Sequence, residues 1–564
     1  MKNEFDSQPL LRRRVTRRSM LRGAGAALGM TLIGGGISGC GSSSQGTTPT
    51  AAAGAAKPAA GSPTPLTPKA GGTVTLVSAN QLGNINPHLS TAAGLDVATF
   101  TYDRVLNYDN VHGTYEAITA QSIENPDPLT FVIKVNPKAK FQNVPPVPNR
   151  AVTSEDIAYS WKALVDNPRA TTKAFFVDFV DRYETPDAAT LIVKMKKPNA
   201  WTLTASGFGN YPAVVMPKEF IDANLMEKTA IGSGAYLLDQ FDANTISFKK
   251  RPDGWHMPGR PYIDKVVYLV ITDAAARAAA LKGKQIDQTT ARDKLEAEEF
   301  KSYGPDMVID KELYFPGMLM MRADADGLFK DVRVREAIYN AIDIQGLIDQ
   351  VELGDGELTG PVPTLFSAYS LPPDELKTVF RHDVKKAKDL LAAAGWDSSQ
   401  EVEFKYPTSG GATKGDLYIQ ALQQQLAAVG IKTKLVPSER ATVWQPQVAQ
   451  QRDFQLTATN VFLISASLDT WLRMWGKTGI GTGNLARWSD PEIDDLIDRQ
   501  MTEFDTEKQK KLILDLQRLI LKKFAPIVNL YSPYTYTGRW GHFHPVLGQG
   551  HVGSAGHYAW TEKP

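Results

Sequence analysis

The sequence predicts a mixed α/β protein, and three observations carry that expectation. From Thr73 onward, short segments with period-two alternation recur; between and after them lie longer segments whose apolar residues share one helical face; and a Gly/Ser/Thr/Ala/Pro-rich stretch separates this body from a basic amino terminus. No internal repeat is visible.

The alternating segments come first. Residues 73–77, 130–135, 190–195, 245–249 and 265–271 place β-branched, aromatic or aliphatic residues at every second position, as a half-buried strand requires. A helix is expected after Thr153, where Asp156 stands at the spacing of a capping box and Ile157, Trp161 and Leu164 form the inner face. Further on, Val334, Ile338, Ala341 and Ile342 share a face. Val384, Ala387, Leu391 and Ala394 form another, starting after Asp383 and stopping at Gly395. Ile419, Leu422, Leu426 and Val429 stop at Gly430, and 431–435 then alternate as a strand. Leu512, Leu516, Leu519, Ile520 and Phe524 line a last helix that ends before Pro526.

With 564 residues the chain is long enough for several cores. Its 62 Lys+Arg against 61 Asp+Glu leave no basic excess to suit a phosphate backbone, so nucleic acid is not an expected partner. A single cysteine, Cys40, excludes disulfide scaffolds and multi-thiolate metal sites.

Residues 1–40 read as a signal peptide. Seven Lys/Arg fall in the first 22 residues, and 23–39 carry no charge but contain seven glycines, too short and too weakly apolar a run to hold across about 30 Å of hydrocarbon. The string from Thr16 to Arg22, with Arg17 and Arg18, resembles a twin-arginine export motif. Ile37-Ser38-Gly39-Cys40 resembles a lipobox, which makes Cys40 the expected lipidation site and a lipid anchor the only expected membrane attachment, with the protein extracytoplasmic, on the outer face of the cytoplasmic membrane or in the periplasm. Residues 41–72, with Leu66 as their one large apolar side chain, read as a disordered linker with an r.m.s. span of roughly 30 Å.

The body carries a family resemblance. Gly72-Thr73-Val74-Thr75 with Asn86-Pro87, TYDRVLNYD at 101–109, and 118–141 running into VTSEDIAYSWKAL make a first series. IGSGAYLL at 231–238, KKRPDGWHMPGRPYIDKVVY at 249–268, FKDVRVREAIYNAID at 329–343, HDVKKAKDLLAAAGW at 382–396 and IQALQQQLAAVGIKTKL at 419–435 continue it in order. Together they resemble the bacterial extracellular solute-binding proteins of family 5, the peptide and nickel binders of ABC importers. The resemblance implies a two-lobed periplasmic-binding-protein type II fold with a hinge. Lobe I would comprise 73–115, 231–311 and 531–564, an extra subdomain of lobe I would be 116–230, and lobe II 312–530. It implies a monomer that captures an oligopeptide or related polar solute between the lobes and delivers it to ABC permease subunits and their ATPases, with no cofactor.

Candidate binding residues follow from that resemblance: Asn86, His88, Arg322, Tyr406, Phe462, Asp469 and Trp471. Arg322 could grip a ligand carboxylate. Ala466 stands where the peptide-binding branch carries an Asp for the peptide's α-ammonium, so the cleft is not expected to demand a free amine unless Asp469 or another acid supplies the charge. His542, His544, His551 and His557 crowd 16 residues and open an alternative, a metal or metal-chelate receptor of the same fold, against the plainer reading of a Gly-rich loop with surface histidines. An enzyme is not expected, and a secreted cofactor-containing enzyme is the third and least favoured reading. No GxSxG, HExxH, reactive cysteine or dinucleotide fingerprint is present, and Gly232-Ser233-Gly234 reads as a strand-to-turn glycine pair.

Overall fold

A computed structural model of the chain describes residues 67–89, 91–109, 113–170, 172–324, 326–408, 414–460, 467–480, 483–546 and 555–563. Cys40, Arg17, Arg18, Phe462, Ala466 and His551 lie outside the described residues.

Strands form where alternation predicts them. Thr73–Ser78 pairs in parallel with Lys265–Val270, which pairs antiparallel with Thr245–Lys250 and through it with Tyr236–Phe241. Val74 and Val266 present one buried face, on which Phe100 stacks against Phe248 with centroids 4.7 Å apart. Gly232 and Gly234 precede this sheet because the backbone there runs against Thr101. A Cβ on Gly232 would lie 2.3 Å from the Thr101 carbonyl oxygen, so no larger residue fits. A second, antiparallel sheet has the order Ala120–Asp127, Thr130–Val135, Thr190–Met195, Val180–Asp187. Helix Ser154–Asp166 covers it, capped as expected by the reciprocal Thr153 and Asp156 bonds, with Trp161 stacked on Phe208 at 4.8 Å.

The third sheet lies in the later half: Lys432–Glu439, Glu401–Thr408, Leu456–Asn460, Gly317–Met321, Ile527–Asn529. The first three run parallel, and the last two are paired antiparallel to their neighbours. Helices Val332–Ala341, Val384–Ala394 and Lys414–Ala428 contribute Ile338, Leu391 and Leu422 to the apolar cluster on one face of this sheet. Asp383 accepts from the Lys386 amide, and Gly395 adopts the left-handed conformation (φ 70°) that stops its helix. Helix Thr506–Lys522 ends before Pro526 as the pattern predicts.

Among the described residues, two chain passages connect the sheet of Tyr531–Trp540 with the third sheet. The strand Met307–Leu313, paired with Tyr531–Trp540, leads through Tyr314, Phe315 and Pro316 into Gly317–Met321; the chain returns from Ile527–Asn529 through Leu530 into Tyr531–Trp540. The passages are bonded to each other, Leu530 N–H to the Gly317 carbonyl at 2.9 Å and Tyr314 N–H to that of Pro533 at 2.8 Å. The lobes also touch elsewhere. Ala200 N–H donates to the Met501 carbonyl at 2.8 Å, and the Arg473 guanidinium lies 5.6 Å from the Phe179 ring centroid. No helix among the described residues is long and apolar enough to cross a membrane.

Candidate functional site: the cleft between the lobes

Strand direction locates the site. In an open sheet with parallel strands, ligands bind outside the carboxyl ends. In the later lobe Glu401–Thr408, Lys432–Glu439 and Leu456–Asn460 run the same way, and Gly317, where the chain enters from the crossing, pairs with Asn460 at the carboxyl end. In the first lobe Gln288–Thr290 and Met307–Leu313 both run antiparallel to Tyr531–Trp540, so they share a direction, and Leu313 leads straight into the crossing. The carboxyl edges of both lobes therefore meet at Tyr314–Pro316 and Leu530.

A cavity of about 200 Å³ adjoins the crossing, lined among others by Arg292, Tyr314, Glu352, Tyr418, Tyr531 and Tyr534. Beside it Asp355 accepts from the Tyr536 hydroxyl and pairs with Lys294 at 3.1 Å and Lys311 at 3.2 Å. The tyrosine bond and the two ammonium groups hold its carboxyl down at about 2. Asp355 precedes Gly356–Leu358, which pairs with Pro533, Ser532 and Tyr531, so this cluster ties the later lobe to the long strand of the first.

Asp96 is set apart from the other acids. It lies in helix Ala92–Phe100, which starts at the Thr91 cap and rests on a tight turn in which Asn84 Oδ1 accepts from Asn86 N–H and Asn86 Oδ1 from His88 N–H. A Cβ on Gly94 would lie 2.7 Å from the Asn86 carbonyl oxygen, so the glycine allows helix and turn to meet. The Asp96 side chain is half-buried. Burial pushes its carboxyl up to about 7, and burial first, with the Asp96 charge second, raises the Tyr268 hydroxyl. Tyr211 stands beside Tyr268 and under the guanidinium of Arg104, 4.9 Å from the ring centroid.

The structure disperses the residues singled out from sequence. Asn86 is spent on the turn, and His88 is buried with neither ring nitrogen bonded. Arg322 follows Met321, which pairs with Leu456 at the amino end of the parallel strands, and its Nε donates to Asp324 at 3.0 Å, at the edge opposite the crossing. Tyr406 stands near the carboxyl end of its strand, half-buried. Asp469 and Trp471 share helix Leu468–Arg473. Asp469 is fully buried and pairs with Arg473 at 2.6 Å, and Trp471 stacks on Phe315 of the crossing and donates its indole N–H to the Pro361 carbonyl at 2.5 Å. These two side chains pack the crossing rather than present free polar atoms to a solute, except for the unbonded Oδ1 of Asp469.

The histidines separate as well. His542 bonds Asp287 at 2.8 Å, His544 stacks on Trp560 at 3.8 Å and reaches Glu562, and His557 is buried against Trp255 with its Nε2 on the Thr99 carbonyl at 3.2 Å. His557 thus corrects the reading of a surface loop. Acids distant in sequence meet His542 and His544, yet among the described residues no three His, Cys, Asp or Glu side chains are placed to hold a metal ion. Sequence reasoning passed over Tyr314, because only the tertiary fold brings Met307–Leu313 beside Tyr531–Trp540 at the crossing.

The profile of bacterial extracellular solute-binding proteins, family 5 (middle), matches residues 100–483. The chain belongs to this family. Among curated proteins it is 26% identical over 322 residues to a Brucella ovis protein named as an ABC transporter peptide-binding protein, an alignment covering 56% of this chain and 58% of that one. It is 24% identical over 397 residues to the oligopeptide-binding protein AppA of Bacillus subtilis, covering 65% and 69%. Among solved structures, the periplasmic binding protein DppA of Helicobacter pylori in complex with the peptide STSA superposes with a TM-score of 0.74 at 21% identity, covering 88% of this chain and 99% of that one. The fold is that of the two-lobed type II binding proteins.

Proposed function

We propose that the chain is the extracytoplasmic substrate-binding component of an ABC importer, capturing an oligopeptide or related small polar solute between its lobes and delivering it to the permease subunits and their ATPases. The observation that carries this reading is the meeting of both carboxyl edges at a two-passage crossing, since such a crossing can act as a hinge and the cleft beside it is where a solute is enclosed. The peptide named with the Helicobacter protein and the peptide-binding names of the Brucella and Bacillus proteins support the ligand class.

The mechanism is a population shift. Contacts made only when both lobes reach the solute stabilise the closed form, and the permease recognises that form. No bond in the solute is made or broken. The division into lobe I (73–115, 231–311, 531–564), its subdomain (116–230) and lobe II (312–530) belongs to this reading, as do a monomeric state and attachment through a lipidated Cys40. Native mass spectrometry of gently purified protein tests it. Adducts that dissociate as peptides support the proposal, whereas adducts of a metal chelate would replace it with the receptor of another solute.

A further inference from the structure

A second cavity, of about 300 Å³, lies beside helices Val332–Ala341, Val384–Ala394 and Thr506–Lys522, and four cations line it, Arg381, Lys386, Arg518 and Lys522, against one acid, Glu375. Its wall residue Phe524 stands just before the segment in which the Pro526 carbonyl accepts from Met321 N–H at 2.8 Å and Ile527 pairs with Met320. That is the edge of the third sheet opposite the crossing, so the cavity is separate from the solute cleft.

Two of the cations are answered. Lys386 pairs with Glu336 at 2.8 Å, and Arg518 with Glu375 at 2.7 Å and Asp515 at 3.4 Å. The side chains of Arg381 and Lys522 form no hydrogen bond or ion pair with any described residue. Like charges left unanswered around one concavity focus a positive field into it. The walls that carry them are held firmly. His382 (φ 47°) and Phe524 (φ 45°) both adopt the left-handed backbone that bulky side chains rarely enter. His382 is fixed by its Nδ1 at 3.2 Å from the Ala341 carbonyl and by the Asp383 N–H on the Asn340 carbonyl at 2.8 Å; Phe524 is fixed by Arg335 Nε on its carbonyl at 2.7 Å and by its ring against Tyr339, 5.3 Å between centroids.

A planar guanidinium and a compact ammonium together suit the oxygens of a doubly charged phosphate. Val379, Leu521 and Phe524 make the rest of the lining apolar, which favours a phosphate carried on carbon over the bare ion. We propose that this cavity binds a phosphate monoester, with Arg381 and Lys522 on the phosphate and Val379, Leu521 and Phe524 against the organic body. The site is additional to solute capture and does not depend on the peptide reading. A free ester and the head group of phosphatidic acid present the same chemistry.

The test uses hexyl phosphate in calorimetry and vesicles of phosphatidic acid in phosphatidylcholine in co-sedimentation, at physiological ionic strength, where exposed charges are screened beyond about 8 Å. Wild type is compared with Arg381→Ala/Lys522→Ala and with Lys138→Ala/Lys228→Ala, which removes two exposed lysines elsewhere. Wild type should bind at least one probe, the cavity variant at least about tenfold more weakly, on the scale of two lost charge-assisted bonds, and the other variant as wild type does. Binding of hexyl phosphate names a free ester as the source, and binding of the vesicles alone names the lipid. No binding of either probe, an unweakened cavity variant, or an equal loss in the other variant overturns the proposal. An enzymatic casein digest, its amines free or acetylated, should raise the unfolding temperature of the cavity variant as it does that of wild type; loss of that response together with phosphate binding would place both in one site and would also overturn it.

Discussion

The indole N–H of Trp201 donates to Oε1 of Gln500 at 3.0 Å, joining two buried side chains 299 residues apart in sequence. Trp201 follows the second sheet, and Gln500 sits on helix Pro491–Thr502, placed in lobe II by the proposed division. With the Ala200–Met501 backbone bond beside it, this pair fastens the lobes at a place distinct from the two passages.

If the pair forms when the lobes close, its loss falls on the closed state. Gln500→Ala leaves a buried N–H unpaired, at about 1–3 kcal/mol. Ligand affinity is then expected to fall roughly tenfold or more. Calorimetry with whichever solute the purified protein retains measures it, and an unchanged affinity would show that the contact persists in the open form.

Acid should destabilise the fold through two histidines. Burial holds His88 down at about 4 and His557 at about 3, both below the ordinary value of 6.5. Each stays neutral in the fold while the unfolded chain takes up its proton first, so stability is unaffected above 6.5 and falls as pH drops from there toward the folded values. The loss from His88 alone is about 3 kcal/mol by its lower limit. Urea midpoints from pH 7 to 4 should show a shallower decline in His88→Leu than in wild type.

Much of the framework was legible. Asp383 and Gly395 bound a helix because a cap acceptor and a left-handed stop act locally, and the alternation at 130–135 and 190–195 marks the strands that form there. The cleft was not. Tyr314 and Pro533 are 219 positions apart and are joined only because Met307–Leu313 pairs with Tyr531–Trp540. Arg322 looked available because nothing local reveals which edge of the sheet its strand ends on.

Asp469→Asn should cost stability rather than change amine selectivity. The substitution removes the charge from a buried pair and leaves Arg473 uncompensated, at about 3 kcal/mol. A fall in the urea midpoint with an unaltered response to acetylation is the expected result. An altered response at full stability would hand Asp469 the ammonium.

The proposed reading places export and anchoring in the leader. Cys40→Ala should release the protein from the membrane fraction, and Arg17→Lys with Arg18→Lys should hold it in the cytoplasm. Fractionation with immunoblotting reads both, and membrane retention of Cys40→Ala would contradict lipidation.

The central claim, that two lobes joined at Tyr314–Pro316 and Leu530 close over a solute, is tested most directly by small-angle scattering of ligand-stripped protein with and without the casein digest. A radius of gyration that decreases on addition, and decreases less in Gln500→Ala, is the result expected. A value unchanged by a digest that demonstrably binds would contradict it.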